Sequence, residues 1–208
     1  MNKEILAIGA HFDDIEIGLG GTILNHTKCG DEVYMLVITN SGYDSRKDHE
    51  RKSSDALKEG LRSAKMLGAK LITLDYPTLK LEANDELIFD IKKIADKINP
   101  DRIYTQSVID CNLDHVAVGE ATLAACRDCP QILSYRSNNY MVEDFFHPNF
   151  FVDISKFITQ KENILKIFKS EWPKPLKWIR MSRALADYYG GISGTEYSEG
   201  FSVIKFVE

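Results

Sequence analysis

The chain of 208 residues is short of several things, and each shortage narrows what it can be. No apolar run approaches the roughly 18–20 residues of a membrane-crossing helix, so no membrane span is expected. The opening Met1-Asn2-Lys3-Glu4 leads straight into a short strand-like run. It lacks the apolar stretch and small-residue cleavage site of a secretory signal, and the expected location is cytoplasmic. Basic residues are not in excess: 26 Lys and Arg face 31 Asp and Glu, a formal net charge of -5. That argues against a nucleic-acid partner, which would call for a basic face. Cysteine is sparse, and Cys29, Cys111, Cys126 and Cys129 read as free thiols. Cys126-x-x-Cys129 has no second CxxC to complete a metal site and reads as a helix end stopped by Pro130. There is no internal repeat, low-complexity segment or linker.

What is present suits one globular α/β domain: 44% hydrophobic residues and 27% charged residues of mixed sign. Strand and helix patterns alternate. Strands are expected at Glu4–Gly9, Glu32–Thr39, 70–74, 102–105 and 132–135, and helices over 18–28, 51–67, Asp85–Ile98 and 114–126. Residues 40–48 read as a polar loop. Beyond residue 145 the pattern changes to a strand at Phe150–Asp153, a helix over 155–169 capped by Ser155, a short helix over 181–189 and a strand at 202–206. Short apolar strands separated by helices imply a mostly parallel sheet covered on both faces. In such sheets sites form at the carboxyl ends of strands, which selects the loops after Gly9, Thr39 and Thr105.

Two of those loops carry chemistry. The first reads Ala10-His11-Phe12-Asp13-Asp14-Ile15-Glu16, the second Asp110-Cys111-Asn112-Leu113-Asp114-His115. His11, Asp14 and His115 make a His₂–carboxylate set, and three protein ligands with an open position is the pattern of a catalytic zinc site. Each piece has a plainer use, since Asp13, Asp14 or Asp114 would also serve as a helix N-cap. Gly18, Gly20 and Gly21 lack the spacing of a dinucleotide-binding loop, and no nucleotide cofactor is expected.

These motifs resemble those of the PIG-L/LmbE family of zinc-dependent N-deacetylases. The family signature A-H-P-D-D-x-E is matched by Ala10 to Glu16, followed by Gly18-Leu19-Gly20-Gly21-Thr22; its D-x-H-P-D-H signature is matched by Asp110 to His115. Met66-Leu67-Gly68-Ala69 with Glu59 upstream, Phe151-Val152-Asp153-Ile154-Ser155, 161–171 and Tyr197-Ser198-Glu199-Gly200-Phe201 extend the likeness over the whole chain. The resemblance implies a single-domain, Rossmann-like three-layer α/β fold and one zinc ion per chain on His11, Asp14 and His115. It implies removal of an N-acetyl or other N-acyl group from a small amino-sugar conjugate by metal-activated water, with Asp13 as general base. Family members are often oligomers, so a homo-oligomer is an expectation of the same kind.

Three departures stand out. Phe12 replaces the signature proline, which implies a less rigid and more apolar loop, Asn112 replaces its histidine, and Ala56 stands where the helix often carries a substrate-binding arginine. Asn112 keeps a hydrogen-bond donor for an oxyanion but supplies no proton, so Asp13 delivers the proton to the amine unless His49 or His147 substitutes. Substrate contacts are expected from Asn40 and Ser41 in the polar loop and from Arg180 and Tyr197. Trp172 and Trp178 offer stacking surface or core packing. The loop charges Asp44, Arg46, Lys47, Asp48 and Glu50 line a pocket or form a solvated face. The alternatives are an amidase for another amide, such as a thiol conjugate or N-formyl group, and a catalytically weak sugar-binding homologue.

Overall fold

The computed structural model describes residues 2–45, 49–138, 140 and 144–208. The chain runs β1 (Glu4–Gly9), α1 (Asp14–Cys29), β2 (Glu32–Thr39), a hairpin of β3 (Tyr43–Ser45) and β4 (His49–Arg51), α2 (Ser53–Leu67), β5 (Lys70–Tyr76), α3 (Asp85–Ile98) and β6 (Arg102–Gln106). It continues with α4 (Leu113–Ala125), β7 (Gln131–Tyr135), β8 (Phe150–Asp153), α5 (Ile158–Leu165), a 3₁₀ turn at Lys169–Glu171, α6 (Lys174–Ser193) and β9 (Ser198–Phe206). Seven strands form one sheet in the order β5-β2-β1-β6-β7-β9-β8. β5, β2, β1, β6 and β7 are parallel, whereas β9 runs antiparallel to both β7 and β8.

Alternation along the strands divides the core between the two faces. Ile5 and Ala7 of β1, with Val33 and Met35 of β2, pack against Ile15, Leu19 and Ile23 of α1, Ala64 and Leu67 of α2 and Ile164 of α5. Leu6 and Ile8, with Leu36 and Ile38, face Leu87 and Ile91 of α3 and Val118 and Ala121 of α4. Both faces are therefore covered, as the continuous apolar strands require.

α1 is broken. Leu19 leaves the helical region at φ -145° and ψ 23°, which splits α1 into two segments. A buried ion pair mends the break. Lys161 Nζ donates to the Ile17 carbonyl (2.8 Å) and to Glu199 Oε1 (2.6 Å), while the two Glu199 oxygens accept from the Gly21 and Thr22 amides (2.9 and 2.7 Å). Glu199 thus caps the second segment and Lys161 closes the first, satisfying backbone groups that a break would orphan. Gly21 lets Ile154 pack closely against the second segment, since a Cβ there would stand 2.7 Å from Ile154 Cγ2.

Several expected elements differ. α1 begins at Asp14 rather than residue 18, because the first segment precedes the break. The supposed polar loop contains the β3–β4 hairpin, and Arg51 closes β4 instead of opening α2. Arg46, Lys47 and Asp48 lie outside the described residues. Ser155 does not cap a helix: its hydroxyl donates to Asp153 Oδ1 (2.5 Å) and α5 starts only at Ile158. α6 and β9 extend beyond the short pieces expected at 181–189 and 202–206. No helix among the described residues is long and apolar enough to cross a membrane.

Removing one member of the Lys161–Glu199 pair leaves the other charge buried, as the two side chains are only 3% and 4% exposed. Glu199→Ala is expected to destabilise the protein by about 3–5 kcal/mol in urea denaturation. Lys161→Met combined with Glu199→Gln should lose clearly less than the sum of the single changes; additive losses would show that the two side chains do not act as a pair.

Candidate metal centre

The parallel strands change direction of succession at β1: β2 lies on one side of it and β6 on the other. A crevice opens at the carboxyl ends of strands at such a switch point. His11 follows β1, and His115 lies in the first turn of α4, after β6. Asp14 opens α1. One ligand atom from each of His11, Asp14 and His115 lies within 4.8 Å of the others.

The geometry assigns inner and outer nitrogens. His11 Nδ1 faces Asp14 Oδ2 and His115 Nε2 faces Asp14 Oδ1, both at 3.2 Å. The outer His11 Nε2 meets Asp114 Oδ2 at 2.9 Å, and the outer His115 Nδ1 meets Asp110 Oδ2 at 3.0 Å. A carboxylate on the far nitrogen fixes the ring and its tautomer, an arrangement typical of metal-binding histidines. Asp14 is also oriented: its Oδ2 accepts from the His11 amide (2.8 Å) and its Oδ1 from Ser137 Oγ (2.8 Å). Asn138 Nδ2 braces Asp110 at 2.6 and 2.7 Å. The donor set, two imidazoles and a carboxylate with outer partners in place, fits zinc.

The charges reinforce one another. Burial works against protonation of His11, but Asp114 and Asp14 outweigh it and raise His11 to about 9. Burial likewise opposes a charged His115, and Asp14 and Asp110 raise it to about 10. For Asp14, burial acts upward and the two histidines overcome it, holding the carboxyl well below its usual range. The surrounding carboxylates thus favour the protonated form of both imidazoles when no metal is bound.

Asp13 sits beside the cluster at a φ of 123°, a region that non-glycine residues rarely enter. Its Oδ2 accepts from Arg51 Nη1 at 3.1 Å. Burial pushes Asp13 up to about 8; Arg51 pulls against that, and Asp14 and Glu171 add to it. Arg51 is a buried hub at 3% exposure. Its Nη2 also donates to the Phe12 carbonyl (3.1 Å), its Nε to Ser170 Oγ (3.0 Å), and Glu171 and Glu59 lie at 3.3 and 3.7 Å. Glu59 in turn accepts from the Ser170 amide and hydroxyl. Ala56 is fully buried, so the only arginine that reaches this loop among the described residues comes from the hairpin.

Phe12 does not loosen the loop. Its amide, which a proline would lack, donates to Ser41 Oγ at 2.8 Å, and its ring lies against Gly60, where a Cβ would come within 2.2 Å. Ser41, expected to touch substrate, is 1% exposed and spent on this bond. Asn40 Oδ1 is engaged by the Gly42 amide (3.0 Å) and Thr78 Oγ1 (3.3 Å). Asn112 is the N-cap of α4, its Oδ1 accepting from the Asp114 amide at 3.0 Å. Asp114 is therefore not the cap: besides His11 it accepts from the Leu79 and Leu81 amides (2.6 and 3.1 Å). The structure does not join Tyr197 or Arg180 to the cluster. The Tyr197 hydroxyl accepts from Arg183 and its ring packs near Ile154, and Arg180 is an exposed residue of α6. Trp178 packs on the core and Trp172 is half exposed. His147 is exposed and stacks near Phe145, while the side chain of His49 lies outside the described residues.

The chain belongs to the GlcNAc-PI de-N-acetylase (PIG-L) family, whose pattern matches residues 6–126. It is 35% identical to the uncharacterized deacetylase YaiS of Escherichia coli over 178 residues, covering 81% of this chain and 91% of that protein. It is 30% identical to the diacetylchitobiose deacetylase of Thermococcus kodakarensis, covering 99% and 83%. The solved N,N'-diacetylchitobiose deacetylase of Pyrococcus horikoshii superposes with a TM-score of 0.83 at 25% identity, covering 97% and 84% of the two chains.

Three outcomes follow from this geometry. Asp114→Ala should weaken divalent-metal affinity by about 10–100-fold while leaving the three ligands in place, measured by chelator competition. Metal loading of the apo protein at pH 7 should release protons, because His11 and His115 are both raised above that pH, and loading should tighten as pH rises. Gly60→Ala should lower stability by about 1–3 kcal/mol through displacement of Phe12, overriding the gain in helix propensity; a higher Tm would refute the close packing.

Proposed function

We propose that the protein is a metal-dependent N-deacetylase acting on an N-acetylated amino-sugar conjugate. The observation that carries this reading is the convergence of His11 Nδ1, Asp14 and His115 Nε2 on one point, with Asp13 alongside. Relatives that are deacetylases, one of them for diacetylchitobiose, support the class of substrate. Complete assembly of ligands and base favours an enzyme over a sugar-binding homologue.

His11, Asp14 and His115 would hold a single zinc ion, which supplies Lewis acidity toward the amide carbonyl and the attacking water. Asp13 accepts the proton of that water. Its Oδ2 is held by Arg51, and its Oδ1 makes no hydrogen bond to another described residue, so the free oxygen is the proton carrier. The same proton then passes from Asp13 to the leaving amine nitrogen, which lets one carboxyl serve as base and acid and asks no proton of Asn112. Asn112 has its Oδ1 committed to the helix cap, which leaves its amide NH₂ to donate to the developing oxyanion. Arg51 orients Asp13 and neutralises part of the surrounding carboxylate charge.

Asp13→Asn should retain the fold and about one metal ion per chain, while turnover of an N-acetylglucosaminide falls about 10²–10⁴-fold. Unchanged turnover would remove Asp13 from the chemistry. Elemental analysis of the wild type beside His115→Ala and Asp14→Ala checks the ligands: metal present in the first and lost in both variants is the expected pattern. A folded wild type that takes up no divalent metal would overturn the mechanism.

A further inference from the structure

A second cavity, of about 160 Å³, opens next to the metal centre and is used by nothing above. Ser137 joins the two. It lines the cavity and its Oγ donates to Asp14 Oδ1. The floor is formed by the Lys161–Glu199 pair, whose charges cancel and whose polar atoms are already spent on the break in α1. The walls come from Arg136, which follows β7, from Phe146, and from Ser182 and Tyr189 of α6.

Arg136 is the unusual member. Its Nη2 donates to the Tyr140 carbonyl (2.8 Å) and to Asn138 Oδ1 (3.3 Å), both neutral. Its Nε is buried and has no hydrogen-bond partner among the described residues. No carboxylate among the described residues pairs with it, so among those residues it is the uncompensated charge of the cavity. A buried donor without a partner is costly, and in native proteins such a group calls for an explanation. The hydroxyls of Ser182 and Tyr189 line the same space and make no hydrogen bond among the described residues. The cavity thus presents a planar cationic donor, two neutral hydroxyls and an aromatic wall, with room for about five waters' volume.

We propose that this cavity is a carboxylate-binding subsite that adjoins the metal centre through Ser137. One fixed guanidinium suits a monoanion, and with Nη2 already donating to Tyr140 and Asn138 it is the Nη1 group that is left to donate to a carboxylate oxygen. The Tyr189 and Ser182 hydroxyls donate to the remaining lone pairs, and Phe146 covers the carbon to which the carboxylate is attached. Assignment of that carboxylate to the deacetylation reaction rests on the reading above; binding of a carboxylate in the cavity does not. The two sources are an acidic substituent on the sugar and the acid released from the amide, and they share this recognition chemistry.

The test is calorimetric titration of the metal-loaded protein with glucuronate, glucose and acetate, repeated after chelation and with Arg136→Gln and Tyr189→Phe. Glucuronate is expected to bind and glucose not. Arg136→Gln should weaken glucuronate about tenfold or more, Tyr189→Phe by less, and chelation should leave the affinity in place. Acetate binding with the same dependence on Arg136 assigns the subsite to the released acid, and glucuronate binding alone assigns it to the substrate. The proposal is overturned if neither glucuronate nor acetate binds better than glucose, if Arg136→Gln binds the carboxylate as the wild type does, or if chelation abolishes binding. None of these readouts needs turnover, so failure of the hydrolase reading would be seen separately.

Discussion

The bond between Asp114 and His11 is the interaction on which the rest of the centre depends. Asp114 stands in the first turn of α4, His11 at the end of β1, and the two come from opposite sides of the switch point. The same carboxylate holds the Leu79 and Leu81 amides, so the segment after β5 is tied in as well. Three loops that the sheet only brings near one another are locked by one side chain. Leu79 accepts a positive φ of 63° in that clasp, a strained state that persists because both of its neighbours in the network are fixed.

Around this lock the charges form two groups. The inner one is His11, Asp14 and His115 with Asp110 and Asp114, in which each imidazole lies between two carboxylates. The outer one centres on Arg51, which gathers Asp13, Glu59 and Glu171. Asp13 belongs to both, adjacent to Asp14 in sequence and bonded to Arg51 in space. Asp13, at a positive φ, bonds Arg51 while Asp14 bonds the two histidines, so two consecutive aspartates have different partners.

Much of this was legible in the sequence. The ends of α2 at Gly68 and α3 at Asp85 and Ile98 follow from local signals, and the parallel sheet follows from its unbroken apolar strands. His11, Asp14 and His115 could be chosen because side chains able to bind a metal fall together at strand ends. Arg51 was hidden because a short hairpin of polar composition looks like a solvated loop. Ser137 and Asn138 gave no compositional signal, although the rule about strand ends applied equally to the loop after β7. Asn112 read as a missing proton donor, whereas in the structure asparagine is the better helix cap. Phe12 read as a loss of rigidity, and the compensating Ser41 and Gly60 lie 29 and 48 residues away.

The broken helix has a consequence for the order in which the molecule is completed. His11, Asp13, Asp14 and His115 leave the ribosome within the first half or so of the chain, with the strands that carry them. The segment bearing Asp14 is pinned to the remainder of α1 only when Lys161 and Glu199 arrive, and Glu199 lies in the last strand. A nascent chain therefore holds His11, Asp14 and His115 long before the segment that carries Asp14 is pinned, and the cluster is completed only once β9 has emerged.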